Sequence, residues 1–235
     1  VADGTVTIDT AALDLNGDFT QTGGTVIAPA AITLSGTWLR AGGVFTHNSG
    51  SVTLDGTHQT ISGSTTFFAL NKAATVDSML TFATSGTQSV SGTLSLQGPS
   101  NSFLRLRSNV TGSQAQLRLS QNGTQLLERL DVQDSDASSG ALLICNECID
   151  RGNNTNWFFI SPTIGGRVYA ADGVTPLANR TVAYSIAGGA VVDRTDTDTN
   201  GGYVLSGAIM TGGDIITLFL DDEAEDAVTI LLGSG

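Results

Sequence analysis

The chain has 235 residues, enough for one large β domain or two smaller ones, and carries 10 basic against 22 acidic residues for a net charge of −12. That balance argues against nucleic acid, where Lys and Arg must neutralise phosphates, and against an anionic membrane surface. No apolar run approaches the roughly 18 residues needed to span a bilayer, so no membrane insertion is expected.

Charged residues make up only 14%, and the polar quota falls to Thr, Ser, Asn, Gln and 29 Gly, with Lys72 the single lysine. Such a composition suits an extracellular or cell-surface scaffold. No basic segment followed by an apolar one opens the chain, and it closes on Leu232-Gly233-Ser234-Gly235; both ends read as those of an excised segment.

From the N-terminus the sequence is repetitive. Leu13-Asp14-Leu15-Asn16-Gly17 recurs as Ile32-Thr33-Leu34-Ser35-Gly36, as Val52-Thr53-Leu54-Asp55-Gly56 and as Leu94-Ser95-Leu96-Gln97-Gly98. Phe19 falls in step with Trp38, and Gln59-Thr60-Ile61-Ser62-Gly63 returns as Gln88-Ser89-Val90-Ser91-Gly92. Each unit is a short period-2 strand ended by Gly with Asn, Asp or Ser, which is strand-then-turn chemistry.

Repeats of about 20 to 30 residues, each too small to bury its own apolar face, imply stacking. The pattern predicts a right-handed parallel β-helix over residues 1–160, with an antiparallel β-sandwich as the alternative. Leu104-Arg105-Leu106, Leu117-Arg118-Leu119 and Leu130-Asp131-Val132 continue the strand pattern, and Gln125 to Arg129 allows one helical turn at most. The first segment, Gly4 to Asp9, is strand-forming; Val6 and Ile8 on it are the candidates for stacking on, or inserting into, another copy.

Several polar groups along this part require a reading. Asp131, Asp134 and Asp136 form its one tight carboxylate group, with Arg129 adjacent. A glycosidase needs paired carboxylates, and a solenoid site draws them from several turns of the chain; the expectation is a solvated strand face in which Asp131 points outward. His47 and His58 read as surface residues. Cys145 and Cys148 are spaced C-x-x-C. Zinc would need more ligands than are near, and a redox pair would need a βαβ context, which leaves a small structural disulfide as the expectation. Sequons occur at Asn109, Asn122, Asn153 and Asn179.

Residues 161–166 read as a linker. Beyond it, strands are expected at Gly166–Tyr169, Thr181–Tyr184, Val191–Val192, Tyr203–Leu205 and Ile215–Leu220, and the succession predicts a small Ig-like β-sandwich over 161–235. Charge divides as −5 for residues 1–160 and −7 for 161–235. Asp196, Asp198 and Asn200 open like an EF-hand loop, but its twelfth position is Gly207 in place of the required Glu. A looser Ca²⁺ site there, or at Asp221, Asp222 and Glu223 in the acidic run 221–226, is the only cofactor the sequence suggests. No phosphate loop, G-x-S-x-G or H-E-x-x-H motif is present.

The stretches Gly166-Arg167-Val168-Tyr169, Asp172-Gly173-Val174-Thr175-Pro176-Leu177-Ala178-Asn179 and Thr197-Asp198-Thr199-Asn200-Gly201-Gly202-Tyr203 resemble carboxypeptidase-regulatory-like and Cna-B-like sandwiches of bacterial surface proteins. That resemblance implies a stalk, spacer or packing module. The Lys–Asn isopeptide bond of some Cna-B-like domains is excluded, since residues 161–235 contain no lysine. The run from Leu130-Asp131-Val132-Gln133-Asp134-Ser135 through Cys145 and Cys148 to Asp150-Arg151-Gly152-Asn153-Asn154-Thr155-Asn156-Trp157 is similar to segments closing pectin-lyase-like β-helices.

The reading that follows is an all-β, non-enzymatic, extracellular structural protein: a filament subunit or a stalk segment of a large adhesin. Its partners would be further copies of itself or neighbouring domains of a longer chain. The alternative is a carbohydrate-binding or carbohydrate-degrading β-helix, with Trp38, Trp157 or Tyr203 as stacking platforms for a glycan.

Overall fold

The computed structural model describes residues 3–100, 102–161, 163–207, 214–221 and 228–232. All regular structure among them is β, and the chain divides into two compact units, Val1–Ile160 and Ser161–Gly235.

The first unit is built from parallel sheets in which strands of successive repeats pair with one another. One sheet runs Thr5–Thr7, Thr25–Ile27, Val44–Thr46. A second begins Ala12–Leu15, Ala31–Leu34, Ser51–Leu54 and continues through the long strands Thr65–Ala73 and Thr87–Gln97. There it forks, one branch passing to Ala115–Leu119 and the other to Thr124–Glu128, Leu143–Asn146 and Trp157–Ile160. A third sheet stacks seven strands from Phe19–Gln21 to Ile149–Asp150. This uniform parallel order excludes the antiparallel sandwich for residues 1–160 and fits a stack of repeats.

Register explains why the motifs recur. Leu15, Leu34 and Leu54 are successive partners, as are Phe19 and Trp38. Alternation sends these side chains inward, while Asp14, Thr33 and Thr53, also partners, point outward. Trp38 lies at the centre of an aromatic group, stacked 4.0 Å from Phe19 and edge-on to Phe45 at 5.0 Å. Its Nε1 donates to Thr65 Oγ1 at 3.0 Å, which satisfies the one polar atom of a fully buried ring.

The turns need glycine where repeats approach one another. Gly63 has φ +74°, and a Cβ there would lie 1.6 Å from the Arg40 carbonyl oxygen of the preceding repeat. The helical turn allowed for Gln125 to Arg129 does not form: Thr124–Glu128 is a strand, held by register with Thr93–Gln97. Pairing to a neighbour already in place overrides a local preference that was never strong.

The second unit has antiparallel pairing throughout. Thr163–Arg167 pairs with Gly202–Ser206, and Val191–Asp196, Thr181–Ile186, Ile215–Leu220 and Val228–Leu232 form a four-stranded sheet in that order. Val182, Tyr184, Leu205, Ile216 and Leu218 make its core, and Tyr184 Oη donates to the Ser206 carbonyl at 2.9 Å. The expected linker 161–166 is shorter than read, because the first strand already starts at Thr163.

Candidate functional site: stack ends, polar clusters and the second-unit clefts

The two ends of the parallel stack differ from its middle. Leu34 and Leu54 are completely covered, but their partner Leu15 in the first repeat is only half-buried. The strand Thr5–Thr7 is exposed at all three residues and, among the described residues, pairs only with Thr25–Ile27, through Val6 opposite Val26. Ile8 follows it, half-buried against the core, with its N–H donating to the Ile27 carbonyl at 3.1 Å. At the other end Trp157–Ile160 pairs only with Leu143–Asn146 among the described residues. Its inward side chains, Trp157 and Phe159, stack at 5.7 Å and remain half-buried. Among the described residues, neither Thr5–Thr7 nor Trp157–Ile160 has a second strand partner.

The carboxylates of the first unit are structural in their contacts. Asp131 faces away from the apolar interior yet is only 7% exposed, which corrects the expectation of a solvated position. Arg107 Nη2 and Arg151 Nε, from the repeats before and after, donate to its two oxygens at 2.7 and 3.2 Å. Asp134 accepts from the Gly112 N–H and from Asn153 Nδ2, at 2.9 and 2.7 Å. The Asn153 hydrogen bond is the larger cause that holds its carboxyl below the usual carboxylate range. Asp136 caps its own turn through the Ser138 N–H. Each of the three carboxylates thus accepts at least one hydrogen bond that holds an adjacent repeat or a turn.

Cys145 and Cys148 lie at disulfide distance, 2.01 Å between sulfurs, and both are buried. The Leu130 N–H donates to Cys148 Sγ at 3.1 Å, so the pair also receives the start of the preceding strand. His58 is exposed, and His47 accepts the Ser49 N–H at 3.0 Å in its own turn. Of the sequon residues, Asn109 and Asn153 already use their carboxamides within the protein, and Asn122 is exposed in a turn.

The interior holds buried polar side chains whose role the sequence pattern did not single out. Gln21, Gln59, Gln88 and Lys72 are all buried. Each glutamine satisfies main-chain carbonyls at a corner between strands: Gln59 Nε2 donates to Leu34 and Gly36 at 2.8 and 3.0 Å. Lys72 Nζ donates to Gln59 Oε1 at 2.7 Å and to the Gly56 carbonyl. Burial pulls its ammonium down to about 8, partly opposed by Asp55. The inward positions of Gln59 and Gln88 in their repeats were the available signal.

In the second unit Asp196 and Asp221 come together in one cleft with Thr181 and Arg194. The cation there is Arg194, whose Nη1 is 3.1 Å from Asp221, while Asp196 accepts from Thr181 Oγ1 at 2.8 Å. Asp198 lies apart, its Oδ1 accepting the N–H groups of Asn200 and Gly202 at 2.7 and 2.8 Å. Asp222 and Glu223 lie outside the described residues. Among the described residues no three His, Cys, Asp or Glu side chains are grouped to hold a metal. Trp38 is fully buried, whereas Tyr203 lines a cleft of about 190 Å³ with Tyr169, Phe219 and Arg167.

Comparison of the chain with models of protein families, with curated proteins and with solved structures finds no match to any of them.

Proposed function

We propose that this chain is a non-catalytic structural segment of an extracellular, cell-surface protein, either the subunit of a filament or part of the stalk of a large adhesin. In this reading the first unit is a parallel β-helix, and the second is an Ig-like sandwich of the carboxypeptidase-regulatory-like or Cna-B-like kind serving as a spacer. The observation that supports it is the repeat-on-repeat parallel pairing of the first unit, in which Thr5–Thr7 and Trp157–Ile160 each have one strand partner among the described residues. A further parallel strand would add to either edge without reversing direction and would cover Val6 or Trp157 as it did so. Val6 and Ile8 would be the strand that meets the next copy or the next domain.

Negative-stain electron microscopy with and without a calcium chelator tests the reading, alongside a Val6→Pro variant. Ordered fibres that Val6→Pro shortens are expected of a filament subunit, and their loss on chelation would make the acidic loops metal sites. Dispersed particles under every condition would overturn self-assembly and leave the stalk segment.

The aromatic cleft of the second unit favours a second reading, glycan binding with Tyr203 as the stacking platform. Glycan-array binding lost in Tyr203→Ala would support it.

A further inference from the structure

Strand pairing on one face of the first unit breaks between two successive repeats. Among the described residues Val44–Thr46 pairs only with Thr25–Ile27, and the segment 65–67 only with the strand that begins at Thr87. The Phe45 and Phe67 rings nevertheless face each other across the break, 6.5 Å apart. Arg40 spans it: Nη1 donates to the Ser64 carbonyl at 2.6 Å, Nη2 to the Gly43 carbonyl at 2.7 Å and Nε to Gln21 Oε1 at 2.9 Å. The guanidinium is thereby fixed and partly desolvated, with N–H groups to spare. The break opens a cleft of about 310 Å³ whose lining includes Arg40, Val44, Thr66, Thr87 and Ser89. A second cleft, of about 180 Å³, shares Thr66 and Ser89 with it and reaches Arg118 and Ser120.

We infer that the two clefts form one binding site for a sulfated glycan, Arg40 and Arg118 taking its sulfate groups and Thr66 and Ser89 its hydroxyls. Register sets the donors in line: Thr66 pairs with Ser89 and Ser89 with Arg118, each pointing outward between buried neighbours. None of these three side chains has a hydrogen-bond or ion-pair partner among the described residues. The lining selects the ligand. Each cleft holds an arginine and several hydroxyls and no carboxylate, although the chain carries 22 acidic and 10 basic residues. Asp136, opposite Gln116 on the adjoining outward row, accepts the Ser138 N–H. A guanidinium fork with hydroxyl donors around it matches a tetrahedral oxyanion, which accepts from several directions. The hydroxyls also exchange hydrogen bonds with those of a sugar. Val44, 57% exposed, adds apolar surface for the carbon face of a ring. From Thr66 to Arg118 is two strand spacings, about 10 Å, so a ligand that reaches both arginines carries more than one anionic group. A linear sulfated polysaccharide has that form.

The site is separate from Tyr203 and from the strand edges invoked for assembly. A net charge of −12 repels polyanions in general, so attraction has to come from the local arrangement. Calorimetric titration of the whole chain at about 0.15 M salt, with short-chain dextran sulfate, dextran and polyvinyl sulfate, tests it. Dextran sulfate is expected to bind, and unsubstituted dextran and polyvinyl sulfate to bind at least about tenfold more weakly. Arg118→Ala should weaken dextran sulfate at least about tenfold, and so should Thr66→Val combined with Ser89→Ala. Arg40 also ties Gly43 to Ser64, so the outward Arg118 is the informative arginine, and its variant should melt at the wild-type temperature. Arg105→Gln, in the same unit but outside both clefts, and Tyr203→Ala should leave binding unchanged. Absence of dextran sulfate binding, or equal binding of dextran or polyvinyl sulfate, would overturn the proposal. Binding indifferent to Arg118→Ala, or lost in Tyr203→Ala, would overturn it as well.

Discussion

Lys72 donates to Gln59 Oε1 at 2.7 Å inside the stack, and the same Gln59 donates through its nitrogen to the carbonyls of Leu34 and Gly36. One carboxamide thus joins a buried ammonium to the backbone of an earlier repeat. The arrangement satisfies hydrogen bonds but keeps a charge away from water, and desolvation is the larger influence on Lys72.

Its consequence is a stability that rises with alkalinity. Lys72 titrates at about 8 in the folded protein against 10.5 unfolded, so between those values the unfolded chain binds more protons and folding gains as pH increases. Urea unfolding at pH 7.5 and pH 10 should show wild type gaining about 2 kcal/mol relative to Lys72→Met, in which other titrations cancel. Equal pH dependence in the two proteins would show that Lys72 is solvated.

Gly63→Ala should be among the most destabilising small substitutions in the chain. The position combines φ +74° with a carbonyl oxygen 1.6 Å from where a Cβ would stand, and that oxygen belongs to main chain. A loss of about 2 kcal/mol or more is expected by thermal or denaturant unfolding. Gly17→Ala, with nothing within 4 Å, should change stability by less than about 1 kcal/mol.

Asp131→Ala should lower stability by about 2 kcal/mol, because Arg107, itself largely covered, loses its partner. Part of the Coulombic term is screened at Arg151, which is 54% exposed. The variant should remain folded with an earlier unfolding midpoint. A midpoint equal to wild type would return Asp131 to the solvated position first expected of it.

Asp172 should titrate at about 2, held there first by the Thr175 hydroxyl and then by the N–H groups of Thr175 and Val174. An NMR titration of its carboxyl carbon reads this directly, and Thr175→Val should move the midpoint up toward the ordinary Asp value. A wild-type midpoint near 4 would show that the turn is open in solution.

The repeats were legible because a side chain two residues along a strand returns to the same face, and stacking then demands the same residue type one repeat later. Leu15, Leu34 and Leu54, or Phe19 and Trp38, announce both facts in the linear sequence. The strands of the second unit were legible for the same reason, with Ile215–Leu220 placed to the residue. Less legible was the state of outward groups. Asp131 alternates with two buried apolar residues and reads as solvated, yet Arg107 and Arg151 are brought over it by neighbours 24 and 20 residues away.

By itself, then, the sequence determined an all-β chain, a repetitive first unit and a distinct second one, because alternation, turn residues and composition are local quantities. Tertiary structure alone decided that the first unit's strands pair in parallel, that Lys72 and Gln59 meet inside it, and that Arg107 and Arg151 close over Asp131. Each depends on which strand lies beside which and on which side chains meet across that pairing, and these are set by closure of the whole repeat, not by the alternation within one strand.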